Sequence, residues 1–146
     1  MGNAGNLLNK LLTFAGLQRE KIYITNIVKY RPPENRDPLP SEVASFTPYL
    51  FRQLDIISPK FVVSLGRFSL NCFLPKAKIS EVHGRPFLRN GKIIIPMFHP
   101  AAALRSTSVL ELATDDFKRL PQILAQPEDF LESKKSVDND SQMNLF

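Results

Sequence analysis

Two periods of apolar residues, one helical and one extended, alternate along this chain and lay out its elements. Leu7, Leu8, Leu11, Leu12 and Ala15 recur at helical spacing and stop at Gly16, a residue suited to the left-handed position after a helix end. Residues 22–28 (IYITNIV) are β-branched and aromatic without a breaker, which predicts a strand buried on both faces of a parallel sheet. The strand runs into residues 31–40 (RPPENRDPLP), where prolines remove amide donors and fix φ, so a rigid surface loop is expected. Ser41 is placed to cap a helix carrying Val43, Phe46, Leu50, Leu54 and Ile57, kinked at Pro48 and closed by Pro59. Residues 61–65 form a second apolar strand that leads to Gly66 and a short helix through Phe73. Residues 86–88 and 92–97 flank Asn90 and Gly91, the pair that most readily takes the positive φ angles of a tight hairpin. Ser108 and Glu111 stand at capping-box spacing before a last helix with Leu112, Phe117, Leu120 and Leu124.

This order of helix and strand predicts an α/β fold, a three-layer α/β/α sandwich around a mostly parallel sheet of about four strands. The chain has 146 residues, enough for one domain, here expected over residues 1–126. From about Gln126 polar and charged residues dominate, so residues 127–146 read as a flexible tail. Nineteen Lys and Arg against fourteen Asp and Glu give a formal charge of +5, which favours a polyanionic partner without naming one. The one cysteine, Cys72, excludes an intramolecular disulfide and any all-cysteine metal site within this chain, and points to a reducing compartment. No secretory leader and no long apolar span stands out, so a cytoplasmic protein away from the membrane, and a monomer, are expected.

In a parallel α/β sheet the ligand site lies at the carboxyl ends of the strands. Asn26 sits inside an apolar strand, where an unsatisfied amide would cost about 1–3 kcal/mol. Its donor and acceptor match the carbonyl and ring N–H of a uracil edge, and they equally suit an amide tying two loops together. His99 follows an apolar strand and precedes Pro100, which extends the backbone and projects the imidazole from the strand end. There it can donate to a base oxygen as charge develops, or serve as a structural histidine. Gly66, at a strand-to-helix turn, permits close backbone approach and leaves helix-start amides free for a phosphate. Arg31, Arg36, Arg67 and Arg105 fall in or beside these loops, a placement that suits a phosphate backbone. No Gly-rich phosphate loop of the mononucleotide or dinucleotide kind is present, which disfavours a nucleotide-binding enzyme.

Three segments, YITNIVKYRPPENRDPLPSE, VVSLGR and HPAAALR, stand in the order and rough spacing of family 4 uracil-DNA glycosylases, and over about 120 residues the chain resembles that family. The resemblance implies base excision repair: hydrolysis of the N-glycosidic bond of a flipped uracil in single- or double-stranded DNA, by water, without a covalent intermediate. It makes Asn26 the reader of the uracil edge and His99 the catalytic histidine of the second motif. The segment after this histidine supplies a wedge into the gap left by the base. Here it reads Ala101, Ala102, Ala103, Leu104, Arg105, so Ala103 is expected to weaken the wedge and Leu104 to carry it. Family members hold a [4Fe-4S] cluster on four cysteines, and this chain has Tyr30 and Thr47 at two of those positions, so no cluster or other cofactor is expected. GNAGNLLNKLL resembles the helix that follows the first motif and the base-stacking Phe, which would then precede Met1. On that reading the chain is a fragment, a misplaced start or a product of gene decay, lacking its first strand. A non-catalytic DNA- or clamp-binding remnant is the alternative. Gln142, Met143, Asn144, Leu145 and Phe146 resemble the short peptide by which bacterial repair proteins dock on the sliding clamp, with Leu145 and Phe146 as anchors.

Overall fold

Three isoleucines in succession, Ile93, Ile94 and Ile95, form the centre of the fold, because a central strand must be apolar on both faces. The computed structural model describes residues 2–24 and 39–131. It divides into two compact units, one of Met1–Tyr23 with Phe61–Phe146, the other of Ile24–Lys60.

In the first unit, α1 (Asn3–Phe14) leads to a short 3-10 turn at Arg19–Lys21. Strand β1 (Phe61–Leu65) runs into α3 (Gly66–Phe73), and a four-residue turn of helix, α4 (Ile79–Val82), precedes β2 (Phe87–Arg89) and β3 (Lys92–Met97). Two helices close the order, α5 (Pro100–Arg105) and α6 (Thr107–Ala125). The remaining helix, α2 (Pro40–Ile57), belongs to the second unit.

The sheet order is β1-β3-β2, with β1 parallel to β3 and β2 antiparallel to it. The hairpin is therefore as expected, turning through Asn90 and Gly91, both at positive φ. Among the described residues the sheet has three strands rather than four, and one of its two pairings is parallel. Of the strand predicted over residues 22–28, Ile22, Tyr23 and Ile24 join no strand, and residues 25–28 lie outside the described residues.

Alternation along β3 sends Ile93, Ile95 and Met97 to one face and Ile94 to the other. The first face packs on Leu11 and Leu12 of α1, on Ala15 just after it, and on Phe117, Leu120 and Ile123 of α6, which forms the main core. On the second face, Phe87, the cross-strand partner of Ile94, packs with Leu70 and Leu74 beside α3 and α4. Helices thus cover both faces of an α/β sheet.

Local chemistry explains the boundaries. The chain leaves α1 through Gly16 at φ +70°, with Gly16 and Leu17 amides donating back to Thr13 and Leu12 carbonyls. Leu39, rather than Ser41, stands at the N-cap of α2: Pro40 takes the first helical position, where its missing N–H is no loss, and Glu42 accepts from the Leu39 amide at 2.8 Å. Pro48 lies inside this helix without ending it. Ser106 rather than Ser108 caps α6, accepting from the Val109 amide, because α5 ends at Arg105 and the chain must turn there. Beyond Ala125, residues 127–131 are helical, and Phe130 and Leu131 pack on the main core.

Candidate active site

Because β1 and β3 run parallel with Leu65 opposite Met97, their carboxyl ends open on the same edge of the sheet. Gly66 follows one strand and His99 the other. The two meet there: a Cβ built on Gly66 would lie 3.1 Å from the His99 Cβ and 3.6 Å from its ring. Gly66 is at φ +86°, a backbone conformation strained for other residues, and a Cβ there would also crowd the His99 Cβ.

The His99 backbone is extended and caps α5, while its Nδ1 accepts from the Ala101 amide at 3.0 Å. The neutral ring therefore carries its proton on Nε2, which has no partner among the described residues. Although His99 is exposed in part, packing against the strand ends strips part of the ring's hydration, and this burial lowers its pKa below the ordinary 6.5. The strand edge thus presents a neutral N–H donor held from behind.

Next to His99 in the chain lies a cluster that sequence reasoning missed. Phe98 is buried and its ring lies 4.5 Å from that of His83, tilted by 38°. Nδ1 of His83 is 2.6 Å from Oδ2 of Asp116, and the other carboxylate oxygen accepts from Arg119 at 2.7 Å. Asp116 is 1% exposed, so these two partners compensate a buried charge that would otherwise be costly. Between them Gly84, at φ +75°, donates its amide to the Pro96 carbonyl at 2.7 Å, and any Cβ there would strike the Asp116 carboxylate. The only signal in sequence was an aspartate at an apolar-face position of the last helix.

Leu104 is half exposed at the end of α5, and Arg105 beside it is exposed. Ala103 instead faces inward, packed with Phe98 and Ala113. A larger residue at 103 would press on that cluster, and Leu104 is the exposed apolar position of this helix. Arg67 is exposed on α3, its guanidinium 5.0 Å from the Phe68 ring.

Asn26, Arg31 and Arg36 lie outside the described residues, as do Tyr30, Gln142, Leu145 and Phe146. Thr47, at a position where the resemblance expects a cluster cysteine, lies in α2 and offers a hydroxyl. Cys72 sits on α3 with its thiol 3.5 Å from the Phe68 carbonyl. These side chains do not fit a four-iron cluster, which takes four thiolates. Among the described residues no group of three or more His, Cys, Asp or Glu is arranged to hold a metal ion, and no helix is long and apolar enough to cross a membrane.

An α/β sheet with a histidine donor at its carboxyl edge defines the class of fold and site. The pattern of the uracil DNA glycosylase superfamily matches residues 1–124, and the chain belongs to that superfamily. It is 39% identical to a type-4 uracil-DNA glycosylase of Sulfurisphaera tokodaii over 137 residues, covering 87% of this chain and 62% of that protein. It is 43% identical over 132 residues to the type-4 enzyme of Archaeoglobus fulgidus, covering 84% and 66% respectively. A third relative, the type-4 enzyme of Thermotoga maritima, is 44% identical over 111 residues, 74% of this chain and 58% of its own length. The chain thus spans about three fifths of the length of these curated relatives.

Proposed function

We propose that this protein excises uracil from DNA by hydrolysing the N-glycosidic bond. Water attacks the anomeric carbon of the sugar, the bond to the base nitrogen breaks, and the electron pair leaves on the base. The observation that carries this reading is the neutral Nε2–H of His99 at the strand edge, a pre-positioned donor for the base oxygen on which negative charge accumulates. Its fixed tautomer lets it donate without first rearranging.

In this reading Asn26 pairs with the uracil edge, Leu104 fills the stack left by the everted base, and Arg31, Arg36, Arg67 and Arg105 hold phosphates around the loop that begins at Gly66. The substrate is uracil-containing DNA, single- or double-stranded, no iron-sulfur cluster takes part, and the protein works as a monomer in the cytoplasm. The C-terminal peptide with Gln142, Leu145 and Phe146 docks on a sliding clamp, raising the local concentration of the domain at newly copied DNA. Deleting residues 142–146 is expected to abolish clamp binding in a pull-down while leaving excision on short oligonucleotides unchanged; clamp binding by the shortened chain would refute the docking role.

The test of the activity is uracil release from a labelled single-stranded oligonucleotide and from its duplex. Release by the wild type is expected on both, with Leu104→Ala losing more on the duplex than on the single strand. DNA binding without any release would overturn the enzymatic reading in favour of a non-catalytic DNA-binding module, and equal losses for Leu104→Ala would remove the wedge role.

A further inference from the structure

Beside Leu104, a cavity of about 570 Å³ opens between the polar side of α1 and the corner where α5 passes into α6. Its floor is apolar, made by Leu7, Ala103 and Leu110. Its rim is not. Asn3, Asn6 and Lys10 stand at i, i+3 and i+7 on α1 and so share one face of the helix. Across from them Arg105 and Thr107 line the same cavity, and no Asp or Glu is among the lining residues.

The rim donors are available. Lys10 and Arg105 are exposed and have no ion pair among the described residues, and the side-chain amides of Asn3 and Asn6 are likewise unpartnered there. The neighbouring Asn9, one position off this face, accepts from Arg19 at 2.7 Å. An apolar floor between two rows of donors, one cation on each side, matches a sugar-phosphate strand: deoxyribose lies against the leucines while phosphates meet the rim.

We propose that this groove is a binding site for the phosphodiester backbone of one DNA strand, with Lys10 and Asn6 of α1 as its outer wall and Arg105 as its inner one. The proposal rests on the excision reading above and adds α1 to the DNA surface. It gives the strand a path that begins at Leu104, so that nucleotides next to the everted base are held while the base itself is out of the stack. Arg105 then serves the groove and the wedge together.

The experiment measures binding of the full chain to a fluorescein-labelled, uracil-free single-stranded oligonucleotide by anisotropy over a range of salt. Lys10→Glu is expected to weaken binding by about tenfold and to lower the slope of log affinity against log salt by about 1. Lys10→Gln should show a smaller loss in the same direction, with the melting temperature of both variants near wild type. Lys76→Glu, the same change of charge at an exposed site outside the groove, should change affinity by less than about twofold. Equal weakening by Lys10→Glu and Lys76→Glu, or wild-type binding by Lys10→Glu, would overturn the groove. Because the probe contains no uracil, the two readings fail separately. A chain that binds through Lys10 yet releases no uracil retains the groove and loses the enzymatic assignment, and one that releases uracil with Lys10→Glu binding normally does the reverse.

Discussion

His99 gathers the site's chemistry into one side chain. It follows β3, lies over Gly66, and accepts from the Ala101 amide, so its neutral form is a donor of fixed direction. Burial lowers its pKa below 6.5, and the sign of the consequence follows directly. The folded chain resists protonation of this ring, so the stability gained from the neutral imidazole is present above 6.5 and is lost as pH falls through the folded-state value. The acid limb of the pH–kcat profile should therefore have its midpoint below 6.5, and His99→Gln should remove that limb while lowering kcat by about 10²-fold or more. A midpoint above 6.5 would contradict the assignment. The position of His99 was legible because a strand end followed by proline leaves few other directions for the backbone. The floor beneath it was not, since Gly66 and His99 are joined only by the register of two parallel strands.

Among the elements, α6 is tied to the end of β3 through His83 and Phe98, the residue before His99. Asp116 reaches back across 33 residues to His83, whose ring faces Phe98, and Gly84 must stay bare for the carboxylate to fit. Two glycines at almost the same φ separate backbone strain from this contact. Gly84→Ala and Gly91→Ala both force a methyl onto a left-handed backbone, at about 1 kcal/mol, but only at Gly84 would the Cβ meet another group, the Asp116 Cγ at 2.7 Å. In thermal melts Gly84→Ala should lower the melting temperature by about 5 °C or more, and clearly further than Gly91→Ala; equal shifts would mean that the Asp116 contact contributes nothing. Hydrophobic period located α1, α2, β1, the hairpin and α6, because each buries a wide apolar face. It could not locate α4 or α5, which span four and six residues, too short for a period to register. The caps were misplaced by two residues because Pro40 and the end of α5 reset the helix starts.

For the whole molecule, the fold class was readable from the alternation of elements, and the superfamily from three motifs in register. The number and order of strands were less so. Asn90 and Gly91 marked the antiparallel hairpin, but an apolar run does not say which strand it lies beside, so the place of β3 between β1 and β2 is set by tertiary packing. Charge alone said little, whereas its placement did. Arg105 and Lys10 line one groove, and Arg67 starts the helix that follows the Gly66 turn. If Asn26 and His99 act on one everted base, as the proposed function requires, a double-mutant cycle on uracil release from single-stranded DNA will report it. Asn26→Ala and His99→Ala should each cut the rate severely, and the double variant should lose much less than the product of the two losses, because both side chains hold the same base. Losses that multiply, or an Asn26→Ala variant with the wild-type rate, would show that the two residues do not share a pocket.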